Sequence, residues 1–273
     1  MPDLEQRSVS LFSSYKPDAL ARLLSVSSGV RPATTEYSNP YRLNAFVPAK
    51  PWRAIEECEI ATYFALSSRW KQSRSVAILG PTSKLLSFLD TEGLGRRPLH
   101  ELTTEVVDGI AEKIFMLMQE ICEFSGDTML IGLARNAPNM PTVSINRNLG
   151  KLVGLHIDYW DGLPLSERDR SLNRISLNVG PSSRQILFVP LVLEDMAREL
   201  EKRTGSSADL PELPTLYMKT FASEVPVIGC KLCRGAAYIM PTENILHDGS
   251  TFGQRDESRQ IVFRGNIAPI MVA

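Results

Sequence analysis

The sequence predicts an α+β fold with a mainly β core, and three observations carry that reading. A long apolar stripe of helical period lies in the first half of the chain. From Thr128 onward the apolar runs shorten, Gly, Pro and Asn punctuate them, and β-branched residues rise. Helices that precede a series of short strands are expected to pack on one outer face of a sheet-built core, whether sandwich, barrel or jelly roll.

The elements follow in order. Residues 17–26 read as a short helix, with Pro17 suited to the first helical position. A Ser/Pro/Asn-rich loop runs on to about Pro51. Residues 55–70 carry apolar side chains at helical spacing, and 74–79 predict a strand stopped by Gly80-Pro81. The clearest helix covers 103–124: Val106, Val107, Ile110, Ile114, Leu117, Met118 and Ile121 form its stripe. Thr103 or Thr104 offers the N-cap oxygen, and Gly126 ends the helix. Strands are expected near 142–145, 152–158, 174–179, 185–191, 225–228, 236–240 and 260–267. One helix interrupts them at 193–202, acidic at its start, basic at its end and stopped by Gly205. A Ser/Pro-rich loop follows over 204–213. With no internal repeat, 1–273 read as a single domain, of which 1–127 are mainly helical and 128–273 form the core.

Composition removes several classes. Of 273 residues, 43% are hydrophobic and 22% charged, which excludes disordered and fibrous chains. A net charge of -1 lacks the basic excess of a nucleic-acid or anionic-membrane partner. Residues 1–7 lack the basic-then-apolar order of a signal peptide. No apolar run approaches the roughly 18–20 residues of a membrane span. The expected location is the cytoplasm and the expected partner a small molecule, with the oligomeric state left open.

Only three histidines are present, His100, His156 and His247. His156 and Asp158 form an H-x-D pair at the end of the 152–158 strand, where side chains two apart share a face. His247 follows where a strand gives way to a loop opening with His247-Asp248-Gly249-Ser250. Two imidazoles and one carboxylate on one side of a metal leave three positions open, the facial arrangement of non-haem Fe(II) oxygenases. A bidentate 2-oxo acid can fill two of them and O2 the third. A later strand bears Arg259 and Arg264, and a guanidinium there can meet the far end of a dicarboxylate in a bidentate pair. His100 reads as a loop residue.

On the H-x-D pair, the distal His247 and the arginine-bearing final strand, the sequence from about Thr142 onward resembles the Fe(II)/2-oxoglutarate-dependent oxygenase superfamily. The resemblance implies a double-stranded β-helix, a jelly-roll core with the metal near one open end. It implies His156, Asp158 and His247 as iron ligands, and 2-oxoglutarate and O2 as co-substrates. It implies Arg259 as the 2-oxoglutarate anchor, with Arg264 second; Ile261 stands where the family has a small hydroxyl residue. The implied reaction is hydroxylation of an unactivated C–H in a small polar metabolite, such as an amino acid or biosynthetic intermediate. The acid at Asp158 disfavours halogenation. The competing reading is a jelly-roll metal- or ligand-binding module without oxidative turnover.

Tyr159-Trp160-Asp161-Gly162 and the charged segment after it suggest a lid, with Trp160 walling the substrate and Arg168 or Arg170 meeting a substrate carboxylate. Cys230 and Cys233 form a C-x-x-C without the second ligand pair that zinc needs, and read as reduced cysteines in a turn between strands. Leu79-Gly80-Pro81-Thr82-Ser83-Lys84 lacks phosphate-loop spacing and is rejected as one.

Overall fold

The structure, a computed structural model, describes residues 8–33, 41–65, 67 and 69–270. The residues read for a leader, 1–7, and part of the predicted loop lie outside the described residues. Fifteen strands are described. The first seven are β1 (Ser10–Ser13), β2 (Leu24–Ser27), β3 (Val30–Pro32), β4 (Phe46–Pro48), β5 (Trp52–Ala54), β6 (Ser75–Leu79) and β7 (Cys122–Asn136). Then come β8 (Ile145–Asn146), β9 (Lys151–Leu152), β10 (Asn173–Asn178), β11 (Arg184–Val192), β12 (Ile228–Leu232), β13 (Ala237–Met240), β14 (Ile245–Ser250) and β15 (Ser258–Pro269). The α-helices are α1 (Pro17–Ala21), α2 (Ile60–Tyr63), α3 (Ser83–Glu92), α4 (Thr104–Met118), α5 (Leu193–Thr204) and α6 (Leu213–Phe221).

Two sheets dominate. One has six strands in the order β1-β6-β13-β10-β15-β7, the other five in the order β14-β11-β12-β2-β5. Apart from the parallel β1–β6 pair, neighbours in both sheets run antiparallel. Alternation along the strands sorts the side chains into layers. Ile175 and Leu177 of β10, Ile239 of β13 and Ile261 and Phe263 of β15 pack under Leu85, Leu89, Ile110 and Ile114 of α3 and α4. Val76, Ile78, Tyr238 and Met240 of the six-stranded sheet meet Ile186, Phe188, Ile228 and Cys230 of the other. Leu187, Val189 and Leu246 face outward and are covered by Met196, Leu200, Tyr217 and Phe221 of α5 and α6. The result is helix, sheet, sheet, helix, with β11 buried on both faces.

Residues 1–127 hold α1 to α4 and contribute strands as well. β1, β2, β5 and β6 complete the two sheets that the second half begins, so both halves build one sandwich. The helix expected over 55–70, where 66 and 68 lie outside the described residues, reduces to α2. The helix expected to reach 124 stops at Met118, because Cys122, Glu123 and Phe124 alternate in burial and open β7 instead. The strand expected at 225–228 is β12, shifted toward the carboxyl end so that Cys230 is paired within it. Helix α6 was not foreseen; Pro214 lies in its first turn, and Tyr217, Met218 and Phe221 supply its buried face. The helices expected on one face are α3 and α4, and α5 and α6 cover the opposite one. Among the described residues no helix is long and apolar enough to cross a membrane.

Candidate metal centre

The site forms at the free edge of the five-stranded sheet. His247 lies inside β14, paired with Phe188 of β11 on one side. On its other side the chain at His156 runs antiparallel to it: His156 N–H donates to His247 O at 3.0 Å, and His247 N–H donates to His156 O at 2.8 Å. Residues that exchange both hydrogen bonds project side chains to the same face. The two imidazole centroids are accordingly 4.8 Å apart.

Gly154 sets this approach. Its φ is +73°, and a Cβ there would collide with the carbonyl oxygen of Phe46. The chain can therefore turn against β4, where Leu155 N–H donates to Phe46 O at 2.8 Å. The strand expected over 152–158 accordingly ends at Leu152. Strand alternation is not what aligns Asp158; its N–H donates to Thr242 O at 2.9 Å, which ties it to the connection between β13 and β14. His247, expected at the start of a loop, sits in a strand because Ile245 to Ser250 pair with β11.

The three side chains converge, each with one ligand atom within 4.8 Å of the others. His156 Nε2 is 3.8 Å from Asp158 Oδ1, and His247 Nε2 is 3.8 Å from Asp158 Oδ2. Those separations are too long for hydrogen bonds, and they suit groups that share an ion. Each Nδ1 meets the carbonyl two residues upstream, Gly154 O at 2.8 Å and Ile245 O at 3.0 Å. A carbonyl can only accept, so these contacts assign the proton to Nδ1 and turn the Nε2 lone pair toward Asp158. Burial pushes His247 down to about 3, which keeps it neutral and able to ligate. Burial alone would raise the Asp158 carboxyl, but its electrostatic contacts with His247, Arg174 and His156 outweigh it and hold it below the ordinary value. Two imidazoles with Nε2 turned inward, one carboxylate and no thiolate fit a divalent transition metal such as Fe(II).

Of the arginines expected here, the structure does not bring Arg259 to the metal centre. Ile261 and Phe263, on the same face of β15, pack under α3 and α4. Arg259 Nη1 donates to Leu94 O and Arg97 O, both at 2.8 Å, and Nε contacts Glu257 at 3.1 Å. Arg264 faces the interior, as alternation requires, but its Nη2 is held by Asp161 and by Glu243 at 2.8 Å. Arg168 is buried: Nη1 donates to Glu243 Oε2 and to Glu243 O at 3.0 Å, and its guanidinium stacks 4.4 Å from the Tyr159 ring. Arg170 pairs with Glu167 on the surface. Glu243 also accepts the backbone N–H groups of Trp160 and Asp161, at 3.0 and 2.9 Å. This network welds the segment after Asp158 to the β13–β14 connection. The Tyr159 and Trp160 side chains stay 53% and 54% exposed beside the site. His100 is exposed, near Glu101.

Two inward arginines were missed. Arg174 on β10 places Nη2 2.7 Å from Asp158 Oδ2. Arg184 on β11 shares a face with Ile186 and Phe188, is 3% exposed, and has no hydrogen-bond partner at Nε or Nη1. Burial lowers its pKa to about 10, so it stays cationic at neutral pH. Its guanidinium lies against Gly249, where any Cβ would strike Nη2. Gly249 and His247 share a face of β14, so Arg184 stands one side-chain step from the metal centre. A glycine inside a strand signals close approach of another group, and Gly249 was the available clue. Asp248, on the other face, accepts at Oδ1 from Val143 N, Ser144 N, Ser144 Oγ and Gly249 N, with Oδ2 3.9 Å from His156 Nδ1.

Comparison with known proteins gives structural likeness only. No protein-family model matches the chain, and no curated protein matches it. The apo structure of the Kdo hydroxylase KdoO, a non-heme Fe(II) alphaketoglutarate dependent dioxygenase, is similar over 72% of this chain and 81% of that chain, at 14% identity and a TM-score of 0.41. The same enzyme in complex with alphaketoglutarate and Fe(III) is similar over the same shares at 13% identity and a TM-score of 0.41.

Proposed function

We propose that this chain is an Fe(II)/2-oxoglutarate-dependent oxygenase, built on a double-stranded β-helix, that hydroxylates a C–H bond of a small polar metabolite. The observation that carries the reading is the convergence of His156 Nε2, His247 Nε2 and Asp158 on one point. These three hold the iron. When bound, the iron couples O2 reduction to oxidative decarboxylation of 2-oxoglutarate and supplies the oxidant for the substrate.

The remaining residues bind and orient. Arg184 replaces Arg259 and Arg264 as the group that receives the far carboxylate of 2-oxoglutarate, because its guanidinium is inward and buried, with Nε and Nη1 free of partners. Charge supports an anion. A divalent metal with Arg174 and Arg184 beside the one carboxylate ligand, Asp158, leaves the site positive, which suits an acidic co-substrate. The Glu243 network keeps Tyr159 and Trp160 in place as a wall for the substrate. A net charge of -1 suits a small polar substrate better than nucleic acid.

The test is anaerobic addition of Fe(II) and 2-oxoglutarate, followed by air. The reading predicts the weak visible charge-transfer band of a chelated 2-oxo acid, then succinate. A protein that gives neither is a metal- or ligand-binding module without turnover.

A further inference from the structure

Arg174 stands on β10 between Met240 of β13 and Arg264 of β15. Its Nη2 is 2.7 Å from Asp158 Oδ2, yet that oxygen has no hydrogen bond of proper direction, so the contact is Coulombic. Its Nε is buried and without a partner. A guanidinium kept only to stabilise a buried ion pair would be expected to saturate its donors and meet the carboxylate as a fork. This one touches a single oxygen of the candidate metal ligand.

We infer that Arg174 is a positioning residue that restricts Asp158 to single-oxygen coordination, an inference that rests on the metal reading above. The cation beside Oδ2 leaves Oδ1 to the metal. It thereby keeps the carboxylate from closing a chelate across a coordination position that a bidentate 2-oxo acid needs. Arg174 is then responsible for an open site, at the cost of placing a positive charge beside a divalent ion.

That arrangement predicts effects of opposite sign. Without Arg174 the metal should bind more tightly, since repulsion is removed and Oδ2 is freed, while the co-substrate should bind more weakly. A residue that merely tethers Asp158 would weaken both when lost. The experiment titrates Co(II), without turnover, into wild type, R174M and R174Q, and then titrates 2-oxoglutarate into each Co(II) form. We expect the Co(II) Kd to fall at least about tenfold in both variants, the scale of one unit charge near a divalent ion even under water-like screening. The 2-oxoglutarate Kd should rise at least about tenfold. R174Q keeps a polar side chain in the buried position and serves alone if R174M does not fold. Wild type that binds Co(II) beside variants that bind it equally or more weakly overturns this inference and leaves the metal reading standing. Wild type that takes up no Co(II) removes both.

Discussion

His156 and His247 are mutual antiparallel partners across the free edge of β14, and each rests its Nδ1 on the carbonyl two residues before it. Backbone pairing therefore fixes ring spacing and tautomer together. Residues 91 apart in sequence need no further device to face one ion.

That pairing depends on Gly154. Gly154→Ala puts a Cβ against the Phe46 carbonyl at a φ of +73°. It should cost about 1–3 kcal/mol of stability and displace His156. Urea unfolding reads the first effect, and weaker Co(II) binding by the folded fraction reads the second.

Arg184 and Arg259 separate by kinetics. Removing a charge-assisted hydrogen bond worth about 1.5–3 kcal/mol should raise the 2-oxoglutarate KM of Arg184→Gln about tenfold to a hundredfold. Arg259→Gln should lower stability, since it frees Leu94 O and Arg97 O, and leave that KM unchanged. Steady-state succinate assays with varied 2-oxoglutarate decide; equal KM values for wild type and R184Q would remove Arg184 from the co-substrate site.

Acid should weaken the metal-free protein through His247. Its folded value of about 3 lies below the ordinary 6.5, so between them the unfolded chain binds the additional proton. Stability from this group is full above pH 6.5 and drains as pH falls toward 3. Between about pH 7.5 and 5.5 the loss should be about 1.4 kcal/mol, measurable by urea unfolding in chelator. His247→Gln should remove that share of the slope.

Glu243 sits between Arg168 and Arg264, both buried. Glu243→Gln leaves buried Arg168 without its counter-charge and Arg264 with Asp161 alone, and should destabilise by about 3–5 kcal/mol. Trp160 fluorescence should report the loosened wall in the folded protein, as increased quenching by acrylamide.

Much of the core was legible because it obeys simple periods. The alternation in β10, β13 and β15 and the stripe of α4 sit close to their expected places. What failed had local causes. β1, β2 and β5 are three or four residues long, too short to show a period, and their pairing partners lie far along the chain. At the site, the residue types of His156, Asp158 and His247 pointed to a shared metal, although Gly154 rather than a continuous strand places the first pair. The arginines were harder. Arg259 satisfies the spacing, but sheet geometry turns it toward the α3–α4 side. Arg184 lies on an earlier strand that merely borders β14 in space. Only the clearance at Gly249 hinted at it.

If three side chains hold one ion, counting bound metal will show it. Anaerobic reconstitution with Fe(II), removal of loose metal and elemental analysis should find one iron per chain in wild type. Asp158→Ala and His247→Ala should retain little or none while keeping a folded far-ultraviolet signature. Wild type that retains no iron, or folded variants that retain as much as wild type, would rule out a shared ion at His156, Asp158 and His247.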